Sequence, residues 1–397
     1  MSKYKMDLDY ITIELDISVE ELHGIIMEAD IIIGNDSTSP DEKIEAYLKK
    51  SQCLQALEEY GNSSEFVEKA LEIQPDMPEV LVQKGIIIDE NCKYSEARAV
   101  YTRAIQLKPD YAYAYYNRGK SFTFENKLED AVKDYRKAIE LKPDYVPSYI
   151  FCGMVFNLYN ESEKAVNVFN QAIQIAPNYA VSYRMRGNSY SLLRHFEEAI
   201  ADFTKAIEID GCDVSDYINR GNAYTAIGEI AYSAKCENTE EALKDYNKAL
   251  EDYNKAQQLA PNSFDVYFNR GYILFCIEKK SKDIPDYSKA ITDYSIAVEI
   301  AEYDEDIQSD SNYAAVYRNR GTVFIANGNY TEAIADLTKA IKIDPNDAFS
   351  YFWRAKVFYA QGKRKEGDID WSMAKQLDKS ALNTGIDPNI FWNNNNE

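Results

Sequence analysis

The sequence has few residues that interrupt helices and no long apolar run. Its 397 residues include only 11 prolines and 16 glycines, so long helices are permitted and each proline or glycine marks a joint. No apolar stretch approaches the roughly 18 residues that a bilayer requires, and none of signal-peptide length follows the first lysines. We therefore expect no membrane span and a cytoplasmic location.

The chain also lacks the usual patterns of metal sites and active sites. None of its six cysteines forms a CxxC pair, and its two histidines, His23 and His195, are far apart, so a zinc site is not expected. Scattered thiols are typical of a reducing compartment. There is no phosphate-binding glycine loop, nucleophile elbow or zinc-protease helix. The sequence predicts no catalytic residue, cofactor, metal or small-molecule substrate, and hence no enzyme.

Basic side chains are outnumbered by acidic ones. The chain has 44 basic and 66 acidic side chains, a formal net charge of -22. Such a surface repels nucleic-acid phosphates, so we expect no nucleic-acid partner. A basic protein partner is one reading of the acidity, and a solubility device is the commoner one. Aromatics reach 13%, too many for a disordered chain.

What the chain has in abundance is a 34-residue period. Proline recurs at Pro109, Pro143 and Pro177. Glycine keeps the same spacing at Gly85, Gly119, Gly153, Gly187 and Gly221. Between each glycine and its proline lie two alanines, with an aromatic residue three places before the second: Tyr101, Tyr135, Phe169 and Phe203. A fixed period of this length is typical of solenoids.

The pattern resembles the tetratricopeptide repeat, with Gly at position 8, Ala at 20 and 27, an aromatic at 24 and Pro at 32. The full repeats are predicted at 78–111, 112–145, 146–179, 180–213, 214–263, 264–313 and 314–347, with degenerate units at 44–77 and 348–381. An N-terminal segment with a short helix, 1–43, and a polar tail, 382–397, flank the array. The resemblance implies an all-α fold, a right-handed superhelical α-solenoid of helix-turn-helix repeats whose A helices line a concave face.

Local signals mark the start of the array. Ser18 with Glu21 is a capping-box signature for a helix to about Ile33, and Ser39 with Pro40 begins the next helix. Position 4 is tyrosine in eight units, where it should fill the gap between neighbouring repeats: Tyr47, Tyr115, Tyr149, Tyr183, Tyr217, Tyr267, Tyr317 and Tyr351.

Two repeats, 214–263 and 264–313, are 50 residues long and contain a doubled heptad. Seven residues are nearly two helical turns, so an insertion keeps the buried face. We expect two B helices, 240–259 and 284–301, each lengthened by about 10 Å, with Thr239 and Asp283 as caps. Tolerated slippage in a repetitive gene and a purposeful docking ridge both explain the insertion. The acidic loop up to Asn312 would either hold a basic segment or be a solvated excursion.

Comparison among the repeats predicts an ion pair between helices A and B. Position 7 is arginine only where position 23 is aspartate: Arg118 with Asp134, Arg186 with Asp202, Arg220 with Asp252, Arg270 with Asp293, Arg320 with Asp336, and Arg354 with Asp370. Asp245 and Asp286 are alternative partners in the long repeats. Pairing within a repeat leaves no charge unmatched, whereas pairing between neighbours would set Asp134 against Cys152. A partly buried pair of this kind specifies helix pairing more than it adds stability.

Family geometry puts positions 2, 5, 6, 9, 12 and 13 on the inner face. The resemblance therefore implies peptide-binding residues there: Asn117, Asn219, Asn269, Asn319, Arg184, Asn188, Lys120, Tyr116, Phe268 and Tyr272. The four asparagines at position 6 resemble the ladder in the repeat domain of O-linked N-acetylglucosamine transferase, although asparagine is also simply common at that position. The aromatics either anchor a ligand or pack between A helices.

The charges predicted on the inner face balance. They are Lys120, Arg184, Arg318 and Lys356 against Glu79, Asp89, Glu90 and Asp265. A clamp for chaperone C-terminal carboxylates begins with Arg184, Asn188 and Asn219. Asp265 and Asn269 occupy the third unit and break it, so we do not expect chaperone-tail binding.

Three functions remain open. The first is a non-catalytic scaffold that binds an extended peptide or a helix of a partner protein in the concave groove. The second is a structural subunit that docks through its convex face and lengthened helices. The third is an accessory chain that recruits substrates for an enzyme complex.

Overall fold

The computed structural model describes residues 5–8, 11–14, 18–57, 59–233, 239–280, 284–309 and 311–377. The predictions for Asp283 and for the tail 382–397 lie outside these residues. The chain divides into two compact units, Met1–Arg194 and His195–Glu397.

The first unit begins with a two-stranded antiparallel hairpin, β1 (Lys5–Leu8) and β2 (Ile11–Glu14), with Lys5 opposite Glu14. The sequence did not predict this hairpin. Ten helices follow: α1 (Val19–Gly34), α2 (Pro40–Ala56), α3 (Tyr60–Ile73), α4 (Pro78–Glu90), α5 (Tyr94–Leu107), α6 (Ala112–Phe124), α7 (Leu128–Leu141), α8 (Val146–Leu158), α9 (Ser162–Ile175) and α10 (Ala180–Leu192).

The second unit contains ten described helices. They are α11 (Phe196–Ile209), α12 (Val214–Ser233), α13 (Thr239–Leu259), α14 (Phe264–Lys279), α15 (Ser288–Glu302), α16 (Glu305–Ser309), α17 (Ser311–Ala326), α18 (Tyr330–Ile343), α19 (Ala348–Ala360) and α20 (Arg364–Leu377). The predicted all-α class is confirmed, with the N-terminal hairpin as an addition. Within each unit, consecutive helices pack as pairs, and the pairs stack on one another.

The start of the array follows the sequence signals closely. Ser18 and Ser39 each form a complete capping box, with Glu21 and Glu42, at the first residues of α1 and α2. Each carboxylate accepts from the cap, which lowers the pKa of Glu21 and of Glu42. Helix α1 packs on α2 as a B helix packs on the next A helix. It therefore covers the end of the first pair.

Glycine at position 8 lets the aromatic ring at position 24 cross directly over helix A. A Cβ on Gly153 would lie 2.5 Å from Cζ of Phe169, and one on Gly119 would lie 2.8 Å from Cε1 of Tyr135. Both rings are fully buried. Because packed interiors cannot absorb such an overlap without moving, helix pairing at this distance requires glycine there.

The turn from helix A to helix B needs a left-handed residue at position 15. Cys92, Asn126, Asn160 and Arg194 all have φ near +60° there, and Gly328 and Gly362 have positive φ at the same position. Asparagine and glycine adopt this conformation readily, whereas cysteine and arginine do so at a cost. At the other end of the repeat, helix B stops before proline: α7 ends at Leu141, and Pro143 follows.

Position 4 tyrosines join consecutive repeats, as predicted. The Tyr149 hydroxyl donates to the Pro143 carbonyl at 2.9 Å, and Tyr267 donates to Pro261 at 2.9 Å. In each case the acceptor is the carbonyl of the position 32 proline in the preceding repeat. The tyrosine therefore joins helix A to the proline that follows the previous helix B.

The Arg–Asp pairing within repeats is confirmed in five of the six units. In each, the aspartate accepts from Nε and Nη2 of the arginine at 2.6–2.9 Å, and pairing in the long repeats uses Asp252 and Asp293. Asp245 instead pairs with Lys248, and Asp286 accepts from the Ser288 amide at the first residue of α15. Arg186 and Asp202 belong to different units, and their pairing stays a prediction.

A third partner of these arginines was not predicted. Nη1 donates to position 25 of the preceding B helix at 3.0–3.2 Å, through Thr102, Thr204, Asn254, Ser295 and Thr338. Lys84, which replaces the arginine in its repeat, likewise reaches Glu68 at position 25, at 2.8 Å. Each position 7 cation therefore also joins neighbouring repeats.

The predicted lengthening is correct for one repeat and wrong for the other. Helix α13 has 21 residues, but its partner α12 is lengthened as well, to 20. Gly228 lies seven residues after Gly221 and receives the ring of Tyr246, as Gly221 receives that of Tyr253. The extra heptad of α13 is thus matched by one in α12.

Helix α15 has only 15 residues and begins at Ser288, not near residue 284. The residue seven after Gly271 is Glu278, which leaves no space for a second aromatic ring on helix A. Tyr287 packs against Phe275 instead, with ring centroids 5.5 Å apart, and Glu278 accepts from the Asp286 amide. The acidic loop also contains a short helix, α16, which packs beside α15 and α17.

Candidate functional site

The ten residues predicted to bind a peptide all lie on A helices. In each unit, consecutive A helices contact one another: α4, α6, α8 and α10 in the first, and α12, α14, α17 and α19 in the second. This contact places the A helices on the inner side of each stack. The first unit carries Tyr116, Asn117 and Lys120 on α6, and Arg184 and Asn188 on α10. The second carries Asn219 on α12, Phe268, Asn269 and Tyr272 on α14, and Asn319 on α17.

The asparagines at position 6 have different surroundings. Asn117 is 3% exposed, and its Nδ2 donates to the Tyr113 carbonyl of the same helix at 2.9 Å. Asn319 hydrogen-bonds the buried hydroxyl of Tyr294. Asn269 is half-buried and makes no hydrogen bond in the part of the chain that the structure describes. Its amide therefore keeps its full donor and acceptor capacity for a ligand.

The aromatics divide between core and surface. Tyr116 is 5% exposed and meets Tyr145 and Phe151 edge-on, at 5.1 and 5.6 Å between centroids. This packing leaves Tyr116 little surface for a ligand. Phe268 stacks on Phe264 and keeps a half-buried face.

Tyr272 is held in place by the lengthened helix before it. Its hydroxyl donates to Oε1 of Glu229 at 2.6 Å, and burial raises the pKa of Tyr272. Phe268, Asn269 and Tyr272 thus form one half-buried surface on α14 with an unused amide at its centre.

Several predicted groove charges are neutralised by neighbours. Lys108 pairs with Glu79 at 2.7 Å, and Arg318 pairs with Asp347 at 2.9 Å. Lys120 forms no ion pair with any described residue, and its Nζ lies 5.9 Å from the Tyr116 ring and 5.8 Å from that of Phe151.

Lys356 lies over Phe352 and Trp353, at 5.0 and 4.6 Å. Burial lowers the pKa of Lys356, and the nearby charge of Lys279 lowers it further. The inner face is therefore uneven in charge from one A helix to the next, although its predicted charges sum to zero.

Asp89 on α4 is the groove residue that the site prediction omitted. Its carboxylate accepts from the Ser121 hydroxyl at 2.8 Å and from the Tyr101 hydroxyl at 2.9 Å. Burial nevertheless raises the pKa of Asp89, because these hydrogen bonds and the charge of Lys120 offset the desolvation only in part. The sequence did hold a signal: Asp89 is the only acidic residue at position 12 in the nine units.

Neither a metal cluster nor a membrane-spanning helix is found in the part of the chain that the structure describes. Among the described residues, no group of three or more His, Cys, Asp or Glu side chains is arranged to hold a metal ion. None of the described helices combines the length and the apolar character that crossing a bilayer requires. Burial raises the pKa of Cys53 and of Cys152 to about 11, which makes both thiols poor nucleophiles.

Models of tetratricopeptide repeats match the chain at several positions. A model described as "TPR repeat" matches residues 93–123, 238–275 and 321–362. Two models described as "Tetratricopeptide repeat" match 112–145, and 44–77 with 180–211. Together these matches span about half of the chain. The curated proteins gave no match.

Similar solved structures include the APC/C hetero-tetramer Cut9–Hcn1, with a TM-score of 0.52, 15% identity, and coverage of 92% of this chain and 65% of that one. A tetratricopeptide repeat protein from Parabacteroides merdae has a TM-score of 0.47, 18% identity, and coverage of 71% and 98%. YrrB, a TPR protein "with an unusual peptide-binding site", has a TM-score of 0.39, 20% identity, and coverage of 51% and 96%. The likeness to Cut9–Hcn1, at 15% identity, is one of fold and not of function.

Proposed function

The chain belongs to the tetratricopeptide repeat family, and from this premise we propose that it is a non-catalytic scaffold that binds a segment of a partner protein along its A helices. Repeats of this family form interaction modules that are generally non-catalytic. The segment is an extended peptide or a helix, because an open face of stacked helices can hold either.

The observation that supports this proposal most strongly is the side-chain amide of Asn269. It has a half-buried amide with no hydrogen bond to any described residue, between Phe268 and Tyr272. A peptide backbone offers both a donor and an acceptor at every residue, so it can satisfy such an amide whatever its sequence. The flanking rings supply the apolar contact that anchors interfaces.

The test uses peptides selected for binding to the full chain from a random library of twelve-residue peptides. Asn269→Ala should weaken their binding about three- to tenfold, which corresponds to one net hydrogen bond. The matched control is Asn247→Ala, since Asn247 is exposed on a B helix and donates only to Leu243 of its own turn. Equal binding by the two variants, or failure of the parent to select any peptide, would reject the groove as the binding face.

A structural role in a larger assembly is a second candidate, favoured by the lengthened pair α12–α13. This pair has about seven residues more in each helix than the 13- and 14-residue helices of regular repeats. Next to it, a cavity of about 330 Å³ opens between Leu250, Leu274 and Lys289. If this surface docks a partner subunit, Lys289→Glu at the exposed edge of the cavity should weaken the docking of that subunit and leave peptide binding by Asn269 unchanged.

A further inference from the structure

A cavity of about 180 Å³ opens on the inner side of the first unit, between α4, α5 and α6. Its polar lining residues are Asp89, Glu90, Asn117 and Lys120, and the rings of Tyr94 and Phe124 form its outer wall. The cavity is separate from the Asn269 surface, which lies in the second unit. Its volume admits a side chain of several non-hydrogen atoms, since a single water occupies roughly 30 Å³ in the liquid.

Negative charge in this cavity is only partly compensated. Asp89 has two hydroxyl donors but no ion pair with a described residue, and burial penalises its charge. Glu90 also has no ion pair within the described ranges, and its negative charge repels that of Asp89. Lys120 is the only cation lining the cavity, and it lies over two rings. Two carboxylates therefore face one ammonium group, an arrangement that a further cation would stabilise.

Asn117 provides an independent sign of a ligand. Its side chain is 97% buried, and Nδ2 is used by the Tyr113 carbonyl. Its Oδ1 accepts no hydrogen bond from any residue that the structure describes, and the residue lines the cavity. Oδ1 keeps some contact with the open space of the cavity, so a donor that enters the cavity can reach it and make the hydrogen bond that no described residue supplies.

The outer wall suits the stem of a long side chain. Phe124 is 60% exposed, and its ring stacks on Tyr94 at 5.4 Å with an angle of 18°. Aromatic faces attract cations and pack against the methylene groups of lysine and arginine. The cavity thus combines acceptors at its base with an aromatic surface at its mouth.

We propose that this cavity binds the cationic side chain, lysine or arginine, of a partner segment that lies along α4 and α6. Oδ1 of Asn117 and the carboxylates of Asp89 and Glu90 accept from the cation, and the Phe124 ring packs on its stem. This assignment rests on the proposed scaffold function and adds to it the chemistry of one side chain of the partner.

The probe is a set of random decapeptide pools, each with one fixed central residue: lysine, arginine, norleucine, glutamine or glutamate. Retention of each pool is measured on the immobilised full chain. We expect the lysine and arginine pools to be retained at least fivefold more than the norleucine pool. The preference should fall in 0.5 M salt, because partly exposed charges are screened.

Two variants test the assignment in opposite directions. Asp89→Asn with Glu90→Gln should abolish the preference, and Lys120→Met should increase it by removing the competing ammonium group. The control is Glu129→Gln with Asp130→Asn, two adjacent exposed acids on α7 that remove the same charge from the same unit. It should keep the parent preference.

The outcomes separate this inference from the scaffold function. Equal retention of all pools overturns the cationic side chain and leaves peptide binding intact, whereas no retention of any pool overturns both. A preference that the control double variant also loses would indicate general charge attraction and overturn the site. Binding of free spermidine in place of the peptide pools would overturn a peptide as the source of the cation.

Discussion

Replacing Asp336 tests whether breaking one of the Arg–Asp pairs costs as much unfolding free energy as breaking a buried ion pair. Asp336 accepts from Nε and Nη2 of Arg320 at 2.7 and 2.9 Å, and the two side chains are 10% and 17% exposed. In Asp336→Ala, the guanidinium stays largely out of water with only the Ser295 hydroxyl, at 3.2 Å, as an acceptor. Breaking a buried pair in this way costs about 3–5 kcal/mol. We expect about 3 kcal/mol, because Arg320 keeps some contact with water.

The same reasoning predicts recovery when both charges are removed. Replacing a buried ion pair with apolar residues of similar volume is often neutral or stabilising. The chain contains a natural precedent in Cys152 and Val168, which occupy positions 7 and 23 of one repeat. Arg320→Met with Asp336→Leu should therefore unfold within about 1.5 kcal/mol of the parent.

Hydrogen exchange of the α17 and α18 amides is the appropriate assay. Repeat arrays can open one part at a time, so a single melting temperature would mix several transitions. A loss of 3 kcal/mol corresponds to faster exchange by roughly two orders of magnitude. If Asp336→Ala exchanges within fourfold of the parent, the pair is not buried energetically. If the double variant is as unstable as the single one, shape and not charge explains the loss.

Four further outcomes follow from the packing. Gly153→Ala should destabilise the folded state by about 1–3 kcal/mol in urea unfolding, since its Cβ would overlap Phe169. Gly24→Ala, with open space around it in α1, should stabilise the folded state by about 0.5–1 kcal/mol. Equal effects of the two substitutions would contradict the close helix crossing. Deleting 246–252 alone should speed hydrogen exchange of the remaining α12 and α13 amides more than deleting it together with 222–228, because only the paired deletion keeps the two helices matched in length. Peptide mapping after brief treatment with a thiol reagent should label the exposed Cys92 and Cys212 and leave the buried Cys53, Cys152 and Cys276 unlabelled; rapid labelling of the buried set would show that the stack opens. Burial raises the pKa of Asp89, so the folded state binds the proton of this carboxyl more tightly than the unfolded state does. Ionising Asp89 therefore costs stability as the pH rises from about 4 through the folded-state pKa. Asp89→Asn should gain stability relative to the parent over this range, and a constant difference in unfolding free energy from pH 3 to 7 would refute the assignment.

Much of this protein's fold could be predicted from its sequence because the same contacts recur in successive repeats. The 34-residue period, the small residue at position 8 and the proline at position 32 report contacts made inside one helix pair, and each pair is contiguous in sequence. The Arg–Asp pairing was found in the same way, since both partners vary together within a repeat. The capping boxes at Ser18 and Ser39 are equally local.

The sequence alone was less informative about contacts that depend on the neighbouring repeat. The third bond of each arginine goes to position 25 of the previous helix B, and that residue is Thr, Asn or Ser with no fixed identity. Where position 25 is Arg136, position 7 of the next repeat is Cys152, so two cations are not brought together. Only the stacked helices make this relation visible.

The long repeats and the inner face show the same division. The doubled heptads predicted longer B helices. Whether a B helix could lengthen depended on the residue of helix A that its extra aromatic ring would meet, which is Gly228 in one repeat and Glu278 in the other. The sequence determined which residues line the A helices. The tertiary structure decided which of them pack in internal contacts, as Tyr116 does, and which make no hydrogen bond to a described residue, as is the case for Asn269. The reason is that these contacts come from neighbours that lie far away in the sequence.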